Sequence, residues 1–382
     1  MLTRRNLLKL SAATLLGASV SLPAFAADTI KIGTFLAVTG PASFLGDPEL
    51  KTLQMYVDEI NSKGGVLGKQ LELVHYDSGA NPKKAVNFAK RLIQRDRVDV
   101  IVGGSASGET LAVVPEVEKA GIPFISLAGS IRIVEPTKKW VFKTPHTDRM
   151  AIGKIYGDMK KRGIQRVALI SGDGGFDKSC RAQAMKLASA YGMSIVGDES
   201  YGKKDTDMTA QLTKIRATDA QGIVNCGFGT GPAIVTKNVR QLGINVPLYQ
   251  SHGVASKKYI ELAGEAAEGV RLPAAALLVA EILPDSEPQK DVLVSYKSKY
   301  EAAHGPVSTF GGHAYDGLMI AVEAMKRVGS TNKEAVRAEI EKTRGFIGTS
   351  GVFSMNANDH LGLTLDAFKM LEIKNGTWSL VE

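Results

Sequence analysis

Three short loops of this chain crowd hydroxyls and bare backbone amides together, and each follows an apolar run. Ala37-Val38-Thr39-Gly40-Pro41 follows Thr29–Leu36, Gly104-Ser105-Ala106-Ser107-Gly108 follows Val98–Gly103, and Ala128-Gly129-Ser130 follows Pro123–Leu127. Small side chains let a ligand reach the backbone, and serine oxygens both donate and accept hydrogen bonds. No His, Cys or carboxylate pair joins them. Gly104–Gly108 fits the nucleophile motif G-x-S-x-G at neither serine. Gly172-Asp173-Gly174-Gly175-Phe176 is glycine-rich after a strand but lacks the full dinucleotide fingerprint. The six histidines are scattered without metal-ligand spacing. These loops read as a site that holds a molecule, not one that transforms it, so no enzyme activity, cofactor or metal is expected.

The elements that must position the loops alternate. Strands are expected at Leu71–Tyr76, Val167–Ser171, Ser194–Val196, Gly222–Cys226, Pro247–Gln250 and Gly269–Leu272, besides the three apolar runs. Helices are expected at Pro48–Ser62, Pro82–Gln94, Arg149–Arg162, Lys178–Tyr191, Met208–Ala217, Pro232–Leu242 and Lys257–Ala263. Two successive βα series imply two parallel-sheet lobes with helices on both faces, whose strand carboxyl ends carry the ligand loops. Helices at Pro288–Ala303, Gly312–Val328 and Lys333–Thr343 have no strands of their own and are expected to return to the first lobe. A hairpin, Thr364–Lys374 then Thr377–Val381, turns on Asn375-Gly376. The chain then crosses between lobes near Lys143–Thr147, Leu272–Ala276 and Gly351–Ser354, which suits hinge closure.

At 382 residues the chain has room for two domains. Its start reads as a leader. Arg4, Arg5 and Lys9 precede an apolar stretch, Leu10–Leu22, too short for the roughly 20 residues of a spanning helix. Ala24-Phe25-Ala26 is a small-x-small site, so cleavage after Ala26 is expected. Thr3–Lys9 fits a twin-arginine signal and an ordinary Sec leader alike. The whole chain carries a net charge of +8; without the leader, 44 basic residues face 39 acidic ones and +5 remains. Short basic clusters such as Lys160-Lys161-Arg162 lack the interleaved aromatics of a nucleic-acid surface, so no nucleic-acid partner is expected. Cys180 and Cys226 are the only cysteines; an exported protein permits their pairing, but sequence leaves it open.

An ordered set of short motifs is similar to a known family. It runs Thr39-Gly40-Pro41, Glu59-Ile60-Asn61, Gly64-Gly65-Val66-Leu67-Gly68-Lys69, Tyr76-Asp77, Asn81-Pro82, Val102-Gly103-Gly104, Ala120-Gly121-Ile122-Pro123 and later Ala314-Tyr315-Asp316. The chain resembles the Leu/Ile/Val-binding branch of periplasmic receptors for ABC importers. The resemblance implies an α/β, type I periplasmic binding protein, with two doubly wound parallel-sheet lobes, three crossover strands and a ligand cleft. It implies a signal peptide over 1–26, a first lobe of 27–145 plus 275–352, and a second of 146–274 plus 353–382, the C-terminal hairpin belonging either to the second lobe or to a tail beside the hinge. The expected partners are a small ligand and a membrane permease, the localisation periplasmic, and the protein monomeric.

The family's grip on a ligand carboxylate falls here on Ala106, Ser107, Ala128 and Ser130, and Ser105 of the same loop is a further ligand-binding candidate. Ser107 is read as the N-cap of a helix running to Lys119, where unpaired amides favour an anion. On the opposite wall Phe176 and Phe228 stand where relatives often have tyrosines, and Leu45 where they place an aromatic. His252 stands where amino-acid receptors place a glutamate against the ligand's ammonium, and imidazole does not favour a cation. The expected ligand is a carboxylate without an α-ammonium: an aromatic, 2-oxo or aliphatic acid. An amino-acid receptor of the same importer class is the alternative, and a sensing domain presented to a signalling receptor is the rival from another class. Arg149 is a further candidate for positive charge near the cleft.

Overall fold

The computed structural model describes residues 29–381, so the expected leader lies outside the described residues. β1 (Ile30–Leu36), β2 (Leu71–Asp77), β3 (Val100–Gly103), β4 (Phe124–Ser126) and β5 (Val141–Lys143) form a parallel sheet in the order β2-β1-β3-β4-β5. β6 (Arg166–Ser171), β7 (Ser194–Ser200), β8 (Gly222–Cys226), β9 (Leu248–Gln250) and β10 (Arg271–Ala275) repeat that order as β10-β9-β8-β6-β7. In each sheet the winding direction reverses beside its first strand, and the crevice outside that reversal is where open α/β sheets bind ligands.

Strand periodicity explains how both faces become covered. In β6, Val167 and Leu169 enter one core with Ile155, Met159 and Ala184, while Ala168 and Ile170 enter another with Leu212, Val235 and Val239. β3 divides likewise: Ile101 packs with Phe35, Phe124 and Val117, and Val102 packs with Leu53, Ile125 and Leu318. Burial on both faces accounts for the near-continuous apolar strands of this sequence.

α1 (Ser43–Ser62), α2 (Pro82–Arg91) and α3 (Ser107–Ala120) serve the first sheet. α4 (Asp148–Lys161), α5 (Gly175–Leu187), α6 (Thr209–Arg216), α7 (Gly231–Gln241) and α8 (Lys257–Ala263) serve the second. α9 (Lys290–His304), α10 (Thr309–Val328) and α11 (Lys333–Ile340) return to the first lobe, where α10 packs along α1. A short ribbon, β11 (Phe346–Ile347) with β12 (Val352–Phe353), precedes a hairpin of β13 (Phe368–Lys374) and β14 (Thr377–Leu380), which adds antiparallel strands beside β10. The second sheet is therefore mixed, not purely parallel. The chain passes between lobes at 143–148, 276–289 and 354–367, the last beginning where the 351–354 stretch ends.

Several helix starts differ from expectation. α1 begins a turn before Pro48, which stands inside the helix without an N–H to donate. α5 begins at Gly175 rather than Lys178, because the Asp177 carboxylate accepts from the Gly174 N–H at 3.0 Å and caps the glycine-rich turn. The Ala314-Tyr315-Asp316 signature has a structural role: Asp316 accepts from the N–H groups of Thr349 and Ser350 at 2.6 and 2.9 Å, fixing the turn before the last crossing.

Cys180 on α5 and Cys226 at the end of β8 form a disulfide, with Cα atoms 5.6 Å apart. It fastens the two segments of lobe two that carry Phe176 and Phe228. The enclosed loop is long (sequence separation 46), so the chain-entropy account gives a stabilisation of about 2–4 kcal/mol. Denaturant unfolding with and without reductant should show a midpoint loss of that size; coincident curves would contradict it.

Candidate functional site

The loops at the two winding reversals face each other. Leu45, just after β1, and Ser105, Ala106 and Ser107, after β3, form one wall of a cavity; Phe176, after β6, and Phe228, after β8, form the other. His252 and Gly253 follow β9, and Phe310 and His313 come from α10. The space between, counted together with the solvent it opens onto, has an empty volume of about 390 Å³. A side chain at Gly129 would bring Cβ within 2.8 Å of His252 Nε2, so glycine here makes room for the imidazole.

The grip on lobe one is built differently from the sequence expectation. Ser107 is not the N-cap; it is the first residue of α3, and Ala106 holds the cap position. Capping falls to Glu109, whose carboxylate accepts from the Ala106 N–H at 3.0 Å and from the Ser78 hydroxyl. This frees Ser107 Oγ, which accepts from the Ser130 N–H at 3.1 Å and donates to no other group among the described residues. Ser105 lines the cavity, but its hydroxyl is committed: it donates to buried Glu49 and accepts from the Ala37 N–H at 2.9 Å. Burial pushes Glu49 well above the usual carboxylate range and Glu109 up to about 7.

Ser130 and Ala128 are not among the cavity-lining residues. The Ser130 hydroxyl is spent across the lobes, donating to Ser179 on α5 at 2.7 Å and accepting from the Arg132 N–H. Ala128 is buried in the core beside α3. Arg149 is likewise taken up elsewhere, by Glu135 and by Gln183. Closure thus brings the first turns of α3 and α5 together: a Cβ on Gly175 would lie 3.0 Å from Gly108 Cα. Each first turn carries a partial positive charge, so the closed form presses two like dipole ends against each other.

Sequence reasoning missed what lies behind the cavity. His252 meets Phe176 and Phe368 edge-on, at 5.2 and 5.4 Å between ring centroids; Phe368 stacks on His146 at 3.8 Å, and His146 meets His313 at 6.1 Å. Lys143, fully buried, donates to the His146 carbonyl at 3.1 Å and has no carboxylate within ion-pair distance among the described residues. Neither ring nitrogen of His252 has a hydrogen-bond partner of good geometry. Burial, then positive neighbours, hold these groups neutral: His252 and His313 well below the usual imidazole range and His146 down to about 3. Burial takes Lys143 down to about 7, against the opposing pull of Asp148. No motif joins these residues: Lys143 and His146 come from the first crossing, His252 from the end of β9, His313 from α10 and Phe368 from the start of β13.

Among the described residues no acidic side chain lines this cavity, and no helix is long and apolar enough to cross a membrane. Two lobes of this winding, joined by three crossings over a cleft, define a type I solute receptor. The chain belongs to the periplasmic binding protein family, whose sequence profile matches residues 29–377. It is similar to a leucine-, isoleucine-, valine-, threonine- and alanine-binding protein of Pseudomonas aeruginosa, 26% identical over 81% of this chain and 82% of that protein. An extracellular ligand-binding receptor from Rhodopseudomonas palustris superposes with a TM-score of 0.86 at 26% identity, covering 92% of this chain and 99% of the other. A branched-chain amino acid transporter substrate-binding protein from Streptococcus pneumoniae, solved with isoleucine, gives 0.80 at 27% identity over 92% and 99%. Members of this family are periplasmic, bind small solutes and serve ABC permeases.

The buried lysine yields a prediction. Its folded pKa is depressed, so the unfolded chain holds the proton more tightly, and stability falls as pH drops from about 10 towards 7, by up to about 1.4 kcal/mol per pH unit. Lys143→Met removes that slope and should raise unfolding stability near pH 7 by about 1–4 kcal/mol, as replacement of buried charge often does. Chemical denaturation across that pH range checks it; a destabilised variant with the slope intact would contradict it.

Proposed function

We propose that this protein captures a small carboxylate, an aromatic, 2-oxo or aliphatic acid, and delivers it to an ABC permease from the periplasm, after removal of a leader that ends at Ala26. The observation that carries the reading is electrostatic. The cavity presents Ser107, His252 and His313 and no carboxylate, with Lys143 buried behind it. A zwitterionic amino acid needs a negative partner for its ammonium, which imidazole in the place of a carboxylate does not provide. A carboxylate needs the opposite: helix N-terminal amides, a free hydroxyl and ring N–H groups.

The steps follow from the geometry. Lobe one binds the carboxylate at Ser107 and the first turn of α3. The anion then screens the repulsion between the α3 and α5 N-termini, so lobe two closes and Phe176, Phe228 and His252 exclude water. Ligand shifts the open–closed balance only by its preference for the closed form, and the bridging anion supplies that preference. The Ser130–Ser179 bond latches the closed form, and the pair of lobes docks on the permease as a monomer.

A thermal-shift screen of the mature protein against benzoate, phenylacetate, 2-oxo acids, short aliphatic acids, leucine and valine tests the proposal. Ligand at 100 times its Kd stabilises by about 2.7 kcal/mol, so a binder should move the midpoint by several degrees. A shift with carboxylates and none with leucine or valine is expected; a shift with the amino acids alone would overturn the ligand assignment.

A further inference from the structure

A second chamber opens beside the first, and Phe228 borders both. It lies between Ala42 and Ala80 of lobe one and Asp177, Tyr201 and Lys203 of lobe two, with an empty volume of about 820 Å³ against 390 Å³ for the inner cavity. Because its walls belong to both lobes, the chamber exists only when they are closed. Leu45, Ala106 and Phe310 of the inner cavity and Ala42 of the outer share one apolar cluster, with Phe228 and Ala80 packed against it. Apolar surface therefore runs unbroken from one space to the next. Phe228 stands in Gly227-Phe228-Gly229-Thr230-Gly231 and meets Phe176 edge-on at 6.1 Å between ring centroids, so its ring forms the partition between the two spaces.

Asp177 is 5% exposed and lines the outer chamber. Its Oδ2 accepts from the Gly174 N–H, but buried Oδ1 has no partner among the described residues. An unpartnered buried carboxylate oxygen is costly, and a ligand donor would remove the cost. Beside it, Tyr201 spends its proton on Asn225 Oδ1 at 3.2 Å, so its oxygen also offers only acceptance. Lys203, the one cation on the chamber wall among the described residues, is exposed at its edge.

We propose that the outer chamber is a second ligand subsite, filled by the far end of a carboxylate whose anionic end lies in the inner cavity, and that this far end carries a hydroxyl or amine donating to Asp177 Oδ1. The inference rests on the carboxylate reading of the inner cavity and adds the chemistry of the distal end. The chamber wall carries two carboxylates, Asp173 and Asp177, against the single ammonium of Lys203, an excess of negative charge that disfavours a second carboxylate, so dicarboxylates of the same length are poor ligands. Burial pushes Asp177 up to about 7, and a donor seated against it favours the ionised form.

The test is calorimetry on the mature protein with paired ligands: benzoate, phenylacetate and phenylpropanoate, each with and without a para-hydroxyl group. At one spacer length the hydroxylated partner should bind at least about tenfold tighter, the size expected for a hydrogen bond to a charged group. Asp177→Asn keeps the volume and the bond to Gly174 but presents an NH₂ in place of Oδ1; it should abolish or reverse that preference and leave the unsubstituted partner within about twofold. Asp177→Ser, which retains an oxygen to cap Gly174, is the second variant should the first fold poorly. Equal affinities within every pair in the natural protein, or a preference that survives both substitutions, would overturn the second subsite while leaving the carboxylate reading intact. If none of the six carboxylates binds while leucine does, it is the carboxylate reading that fails, and the subsite with it.

Discussion

A lysine buried with no carboxylate in ion-pair contact among the described residues is the constraint around which the rest is arranged. Lys143 sits at the first crossing between lobes, with His146 three residues on and His252 and His313 brought in from β9 and α10. The protein keeps all four out of water at a cost to its own stability, and such costs are characteristic of sites retained for function. Above them two helix N-termini meet across the cleft. Both features favour negative charge in the same small space, and on the proposed reading the ligand supplies it.

The fold makes that arrangement economical. Each sheet reverses its winding beside its first strand, so each offers a crevice at the carboxyl ends of its strands, and the crossings aim the two crevices at each other. Lobe one contributes hydroxyl and amide donors; lobe two contributes aromatic rings and an imidazole. The Cys180–Cys226 disulfide steadies the aromatic half, and buried Glu49 and Glu109 steady the donor half through Ser105 and Ala106.

Much of this was legible in the sequence. The alternation of apolar strand and amphipathic helix located nearly every element, and Leu45, Ser105–Ser107, Phe176, Phe228 and His252 do meet in one cavity. What escaped had physical causes. Ser130 looks like Ser107 in sequence, yet its hydroxyl is consumed by Ser179, a partner 49 residues away. Ser107 resembles an N-cap because Ser is a preferred cap; Glu109 took the role by reaching back, which a glutamate in a first turn does not announce. Lys143, His146 and His313 carry no motif at all, since their meaning comes from the first crossing meeting the start of α10, about 170 residues further along the chain. Asp177 falls just before the expected helix at Lys178 and carries no sequence signal; only burial marks its free oxygen.

The central claim is that the site is built for a carboxylate without an adjacent ammonium. Its most direct test is the calorimetric affinity ratio of leucine and its 2-oxo analogue, which share side chain and carboxylate and differ only at the α-position. The account predicts that the 2-oxo acid binds at least about tenfold more tightly, a difference of about 1.4 kcal/mol. Leucine binding more tightly than its oxo analogue would contradict it.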